Sequence, residues 1–225
     1  MTARHALIVG ASRGLGFGLV EELLQRGWSV TATTRAPVPV LEAMACPALR
    51  IETVDIDDDA AVMALRGRLS AERFDLAFVV AGISNGAGEI LPKLPRPTAT
   101  QIFQTNSVSP IRFAEAFCDL VAPGGTVALM TSVLGSVSLN TRGGWEIYRA
   151  SKAALNTLAR SMALRHADAG WDLVLMHPGW VRTDMGGPTA DIDVATSVKG
   201  MVDVLQDGGR SGCNYLNYRG ETVPW

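Results

Sequence analysis

Ala6-Leu7-Ile8-Val9-Gly10-Ala11-Ser12-Arg13-Gly14-Leu15-Gly16 joins a continuous apolar run to three glycines spaced G-x-x-x-G-x-G. A short apolar run closed by glycine is expected of a strand buried on both faces. The glycines permit a tight strand-to-helix turn and let a pyrophosphate approach the backbone. The helix that follows offers it unpaired N–H donors. The spacing differs from the commoner G-x-G-x-x-G fingerprint. Taken alone, such a turn needs glycine for steric reasons as readily as for a ligand.

Working outward, strand-length apolar runs alternate with helix-length periodic segments along the chain. Strands are expected at 6–9, 28–34, 49–54, 74–80, 126–131, 171–176 and 213–216. Helices are expected at 14–27, 57–68, 145–166 and 192–205, with a short helical stretch at 41–45. A single long helix is expected from Thr98 to about residue 122, kinked at most by Pro110. Pro123-Gly124-Gly125 reads as a turn, and 84–97 as an irregular link. Alternation of this kind implies parallel pairing through right-handed crossovers. The expected fold is therefore α/β, a doubly wound, mostly parallel sheet of about seven strands with helices on both faces. Ligands bind such sheets at the carboxyl ends of strands near the switch point, here after Val9, Val80, Thr131 and Met176.

Composition narrows the class. Apolar residues make up 48% and charged residues 19% of 225, which describes a globular chain; one domain over 1–225 is the expectation. The net charge of -2 comes with scattered basic residues, which argues against a nucleic-acid partner. Cys46, Cys118 and Cys213 are few and far apart, as in a reduced, cytoplasmic protein. His5, His166 and His177 are isolated in sequence, so no metal site is expected. No run reaches the ~18 apolar residues of a membrane span, and the first residues lack a signal-peptide core.

Tyr148 and Lys152 stand four apart in a helical segment and so share a face. Carbonyl reduction needs a proton donor near the oxygen, and the reverse reaction a base near working pH. An ammonium ~4 Å from the phenol at an effective dielectric of ~20 is worth about 4 kcal/mol, roughly three pK units. Lys152, assisted by an oxidised nicotinamide, is thus expected to bring Tyr148 towards neutrality. The plain alternative is a helix tyrosine beside a surface lysine.

Gly10-x-x-x-Gly14-x-Gly16 together with Tyr148-x-x-x-Lys152 resembles the short-chain dehydrogenase/reductase family over essentially the whole chain. The ending Gly212–Gly220 with Pro224-Trp225 is similar to its compact C-factor and carbonyl-reductase-like branch. The resemblance implies an NADP(H)-dependent oxidoreductase that moves a hydride between nicotinamide and a carbonyl or alcohol carbon. The alternative it leaves open is a nucleotide-binding signalling protein of the C-factor type with little turnover. By resemblance, Ser132 orients the substrate oxygen and Asn106 anchors a water relay towards the lysine; a turn serine and an exposed helix asparagine are the competing readings. Cofactor contacts are expected from Gly10, Ser12, Arg13, Gly14, Leu15, Gly16, Arg35, Asp55, Ala81, Gly82, Tyr148, Lys152, Pro178, Gly179, Val181 and Thr183.

The second strand ends Thr33-Thr34-Arg35, without the acid that holds an NAD ribose. Arg35, flanked by Arg13, suits a 2′-phosphate, so NADP(H) is preferred over NAD(H). A solvated surface arginine is the plain alternative for each. Asp55 matches the family's adenine-contacting acid, or caps a helix. The family's Asn after the fourth strand is replaced by Val80, and the link 184–191 is short, which implies an open pocket. Val133, Leu134, Trp145, Trp180 and Met185 are candidates for its apolar wall. The expected partner is a small carbonyl or alcohol. The resemblance also implies a homodimer or homotetramer through the helices at 98–122 and 145–166.

Overall fold

The computed structural model describes residues 3–44, 46–86, 88, 90–208 and 210–225. Seven parallel strands form one sheet: β1 (His5–Val9), β2 (Ser29–Thr34), β3 (Leu49–Thr53), β4 (Phe74–Val79), β5 (Val121–Met130), β6 (Asp172–His177) and β7 (Cys213–Asn217). They lie in the order β3-β2-β1-β4-β5-β6-β7. The order reverses between β1 and β4, whose Val9 and Val79 are in register. That opens a crevice at their carboxyl ends, where the strand alternation places it.

Helices α1 (Gly14–Gln25), α2 (Pro39–Glu42), α3 (Asp59–Arg68), α4 (Arg96–Phe103), α5 (Ser109–Phe117), α6 (Glu146–Arg165) and α7 (Val194–Gln206) connect the strands. Strand side chains point alternately to two cores. Ala6, Ile8, Ala128, Met130, Val174 and Met176 pack with Leu19, Leu23 and Met201 of α1 and α7. Leu7, Val9, Val127, Leu129, Leu173 and Leu175 pack with Leu65, Phe113 and Leu155 of α3, α5 and α6. Burial on both faces is why the central strands β1, β4, β5 and β6 read as mostly apolar runs.

Several expectations need correction. The long helix from Thr98 is interrupted by a wide π-type turn, Gln104–Val108, between α4 and α5. Pro110 lies just beyond this turn and has no N–H to give back to the preceding turn. Hydroxyl and amide bonds hold the turn on both sides. Thr105, Ser109 and Gln101 donate to the Asp57 carboxylate at 2.6, 2.5 and 2.9 Å. Ser107 Oγ donates to the Ser151 carbonyl of α6 at 2.7 Å. Secondly, Pro123-Gly124-Gly125 lies inside β5, at a register shift opposite Phe74–Leu76, rather than forming a turn before it. The short helix forms at Pro39–Glu42, ahead of the expected 41–45, and Ala45 lies outside the described residues. Of the link 84–97, Ala87 and Glu89 also lie outside them, and Arg96 and Pro97 open α4. Other boundaries move by a residue or two, as helix and strand ends do.

Candidate active site

The crevice is a cleft of about 1010 Å³ running across the carboxyl edge of the sheet. At one end lie Thr34, Arg35 and Asp55, in the middle Gly10 to Gly16, Ala81 and Gly82, and at the other Ser132, Tyr148, Lys152 and Pro178 to Thr183. Every expected site residue lines it except Asn106, which sits behind it. Val133, Leu134, Trp145, Trp180 and Met185 line it as well.

The glycine turn is shaped by close approach. Gly10 has φ +95, and a Cβ there would lie 2.9 Å from the Ala81 nitrogen; one on Gly16 would lie 2.1 Å from the Gly10 carbonyl oxygen. Any side chain at Gly16 would push α1 off the turn. No side chain caps the N-terminus of α1, and its first turn holds no acid. Its free N–H groups and dipole face the cleft, so the cradle fits a pyrophosphate.

Arg35 is exposed and has no ion-pair partner among the described residues. Arg13 Nη1 meets Asp184 Oδ2 at 2.6 Å with both side chains 77% exposed. An exposed pair of this kind is worth about 0–1 kcal/mol and yields to a better anion. Asp55 Oδ1 accepts from Asp57 N at 3.0 Å. The cap of α3 is Asp58, which accepts from Ala60 N and Ala61 N, so the helix-capping alternative for Asp55 falls.

At the other end, α6 brings Tyr148 and Lys152 to one face, both buried. Lys152 Nζ donates to the Met130 carbonyl at 2.9 Å and stands 5.8 Å from the centre of the Tyr148 ring. Burial pushes the amine down to about 8. Burial also pushes the phenol up to about 12, with the Ser132 side chain drawing it back only partly. In the free chain desolvation outweighs the neighbouring amine, which is turned to a carbonyl; the expected fall towards neutrality also counts on an oxidised nicotinamide. Ser132 Oγ accepts from Leu134 N at 3.1 Å, leaving its own proton to give.

Asn106 is fully buried, which rules out the exposed-helix reading. Its Oδ1 accepts from Ile83 N at 2.8 Å, and its Nδ2 donates to the Ile83 carbonyl at 2.8 Å and to Ser151 Oγ at 3.1 Å. The π turn aims it there. Thr183 Oγ1 accepts from Gly186 N at 3.1 Å and donates to the Val181 carbonyl at 3.3 Å, so its hydroxyl is folded into its own turn.

Sequence reasoning missed several groups. Asn156 lies two helical turns beyond Tyr148 on the same face of α6 and is buried; that i+8 spacing was a readable signal. Trp145 is expected in the apolar wall, but its backbone is not foreseen: it is the one non-glycine residue with positive φ, +53, among the described residues, and its ring meets the Tyr148 ring edge-on at 5.7 Å. The strained backbone thus lies at the cleft, beside Tyr148. His177 ends β6 with a buried, unpartnered Nδ1, and burial pushes it down to about 4, so it is neutral. Glu115, Cys118 and His166, isolated in sequence, come together where α5 and α6 end. There Arg165 and His166 bind the Glu115 carboxylate and burial raises the Cys118 thiol, which makes this an ion-pair cluster.

Comparison with known proteins bears on this geometry. Residues 4–192 match the family model described as short chain dehydrogenase. A short-chain dehydrogenase/reductase from Burkholderia multivorans with bound NADP superposes with a TM-score of 0.95 at 43% identity, covering 99% of this chain and 100% of that one. A carbonyl reductase from Pseudomonas aeruginosa PAO1 in complex with NADP gives a TM-score of 0.90 at 36% identity, covering 100% of both chains. The C-signal protein of Myxococcus xanthus is 44% identical over 128 residues, 55% of this chain and 76% of that protein.

The buried amine yields a prediction that needs no substrate. The folded pKa of Lys152, about 8, lies below its ordinary 10.5. Between those values the unfolded chain binds the extra proton, so the lysine's contribution to stability rises with pH. The difference in unfolding free energy, wild type minus Lys152→Met, should climb by roughly 3 kcal/mol from pH 8 to 10.5 in denaturant titrations. A flat difference would show that the amine is not shifted.

Proposed function

The chain belongs to the short-chain dehydrogenase family, and on that premise we propose that it reduces a small carbonyl compound with NADPH, Tyr148 giving the proton. It is an NAD(P)-dependent oxidoreductase. The observation that carries the finer reading is the convergence of the Ser132 hydroxyl, the Tyr148 phenol and the Lys152 amine at one end of a cleft whose other end is a pyrophosphate cradle. When bound, reduced nicotinamide supplies the hydride to the carbonyl carbon. Tyr148 passes its proton to the carbonyl oxygen and is left as phenolate, which water reprotonates. Ser132 donates a hydrogen bond to the same oxygen and steadies its developing charge. Lys152 keeps a positive charge beside the phenol and opposes loss of charge balance as the proton leaves. In the oxidation direction the same groups act in reverse, with the phenolate as base.

Arg35 and Arg13 are assigned to the 2′-phosphate, Asp55 to the adenine end, and the segment Pro178–Thr183 to the carboxamide, for which Thr183 must leave its own turn. The NADP-bound relatives support this cofactor. A signalling role with little turnover, suggested by the C-signal relative, does not account for the complete proton-transfer set. The substrate end is apolar at Trp145, Trp180 and Met185, the last two well exposed, which suits a pocket open to solvent. No helix among the described residues is long and apolar enough to cross a membrane.

NADPH oxidation over a panel of aldehydes, ketones and quinones should show turnover that falls at least about 1,000-fold in Tyr148→Phe. Equal rates in both proteins would remove Tyr148 from the chemistry. Arg35→Asp should raise the KM for NADPH about 10- to 100-fold relative to that for NADH, the worth of one charge-assisted bond; an unchanged ratio would reassign Arg35 to the solvated surface. Pairing through α5 and α6, the latter exposing Leu158 and Leu164, should give light-scattering masses at two or more times 23.9 kDa. Particles of 23.9 kDa alone would overturn the assembly.

A further inference from the structure

Three consecutive residues at the end of β5 are each held from behind. Lys152 Nζ holds the Met130 carbonyl at 2.9 Å, Asn156 Oδ1 accepts from Thr131 Oγ1 at 2.7 Å, and Tyr215 Oη donates to the Ser132 carbonyl at 2.5 Å. The first two bonds come from α6. The third comes from β7, on the far side of β6.

Tyr215 is 2% exposed and does not line the cleft. A phenylalanine would fill the same apolar space beside Trp225, whose ring lies 5.6 Å away. The hydroxyl must therefore be accounted for by its bond, because burying it unpaired is unfavourable. Asn156 sits beside it, its Oδ1 taken by Thr131 Oγ1 and its Nδ2 buried without a hydrogen-bond partner. The chain after β7 braces the same loop. Val223 N donates to the Tyr215 carbonyl at 2.8 Å, and the Trp225 carbonyl oxygen accepts from Ser138 Oγ at 2.8 Å.

We propose that Tyr215 is a positioning residue for carbonyl reduction: by pinning the Ser132 carbonyl it fixes the direction in which the Ser132 hydroxyl meets the substrate oxygen. Tyr215 touches neither substrate nor cofactor and acts through Ser132. The Leu134 N–H meets Ser132 Oγ at 3.1 Å, the same hydroxyl reaches the Tyr148 phenol, and the Gly135 N–H shares the Ser132 carbonyl at 2.8 Å, so the Tyr215 bond is a second anchor, from outside the turn, on the backbone that carries the hydroxyl. A misplacement of about 1 Å at such a group is enough to lower turnover strongly. The assignment rests on the function proposed above.

A double-mutant cycle on the full chain tests it, read as single turnovers with enzyme in excess over carbonyl so that slow variants are resolved. Tyr215→Phe keeps the ring, and should lower kcat about tenfold while the KM for NADPH stays within about twofold. In a Ser132→Ala background the same change should move the rate by less than about twofold. A merely structural role would cost the same factor in both backgrounds, and that result overturns the assignment, as does a Tyr215→Phe rate equal to wild type. Asn156→Ala leaves the Tyr215 bond in place and should cost less than Tyr215→Phe; a larger loss would also overturn it. A wild type that reduces no carbonyl sinks the functional reading and this assignment together. An active wild type matched by Tyr215→Phe sinks this assignment alone.

Discussion

The Lys152 amine, buried at 2% exposure, has as its hydrogen-bond partner the Met130 carbonyl, and no carboxylate among the described residues pairs with it. A buried cation without a counter-ion is unfavourable, and a folded chain keeps one only where the surroundings hold it in place. Here the surroundings are the end of β5 on one side and the face of α6 on the other. The bond ties helix to strand at the point where the sheet opens its crevice. It also places a half-committed positive charge beside Tyr148, a phenol that burial alone would keep protonated well above neutral pH. The proposed chemistry depends on that pairing of two groups that desolvation pushes in opposite directions.

The remaining structure serves to keep those groups in place. Parallel pairing buries the strands on both faces, so the strand ends are fixed by packing and loops can carry function. The π turn at Gln104–Val108 swings Asn106 inward to bridge Ile83 and Ser151, joining the edge of β4 to α6 behind the cleft. Across the sheet, the β7 tyrosine reaches the Ser132 carbonyl. The opposite end of the cleft is built differently. A crowded glycine turn and an uncapped helix start offer backbone donors, and exposed arginines supply charge without being locked in place.

Much of this was legible in the sequence because it follows from local patterns. Apolar runs such as Ala6–Val9 and Leu173–Met176 must be doubly buried strands, and Gly10, Gly14 and Gly16 must form their turn after the first of them. Tyr148 and Lys152 share a face by helical spacing alone. What was not legible depends on contacts between distant segments. The break in the helix after Phe103 answers to Asp57 and Ser151, neither of which is near it in sequence. The grouping of Glu115 and Cys118 with His166 requires two helices to end side by side. The raised phenol of the free chain is not legible from helical spacing, because a pairwise charge argument omits the burial of both partners. Pro123-Gly124-Gly125 reads as a turn by composition, yet neighbouring β4 holds it within a strand.

The most direct test of the account is the titration of the Tyr148 phenol itself, followed by tyrosinate absorbance as wild type minus Tyr148→Phe, with and without saturating NADP+. Without the cofactor, residue 148 should show no tyrosinate until the pH approaches 12. With it, the cationic ring and the neighbouring amine should bring the signal in at least about two pH units lower. Superimposable titrations under the two conditions would contradict the claim that this phenol, beside this lysine, is the proton donor poised by the cofactor.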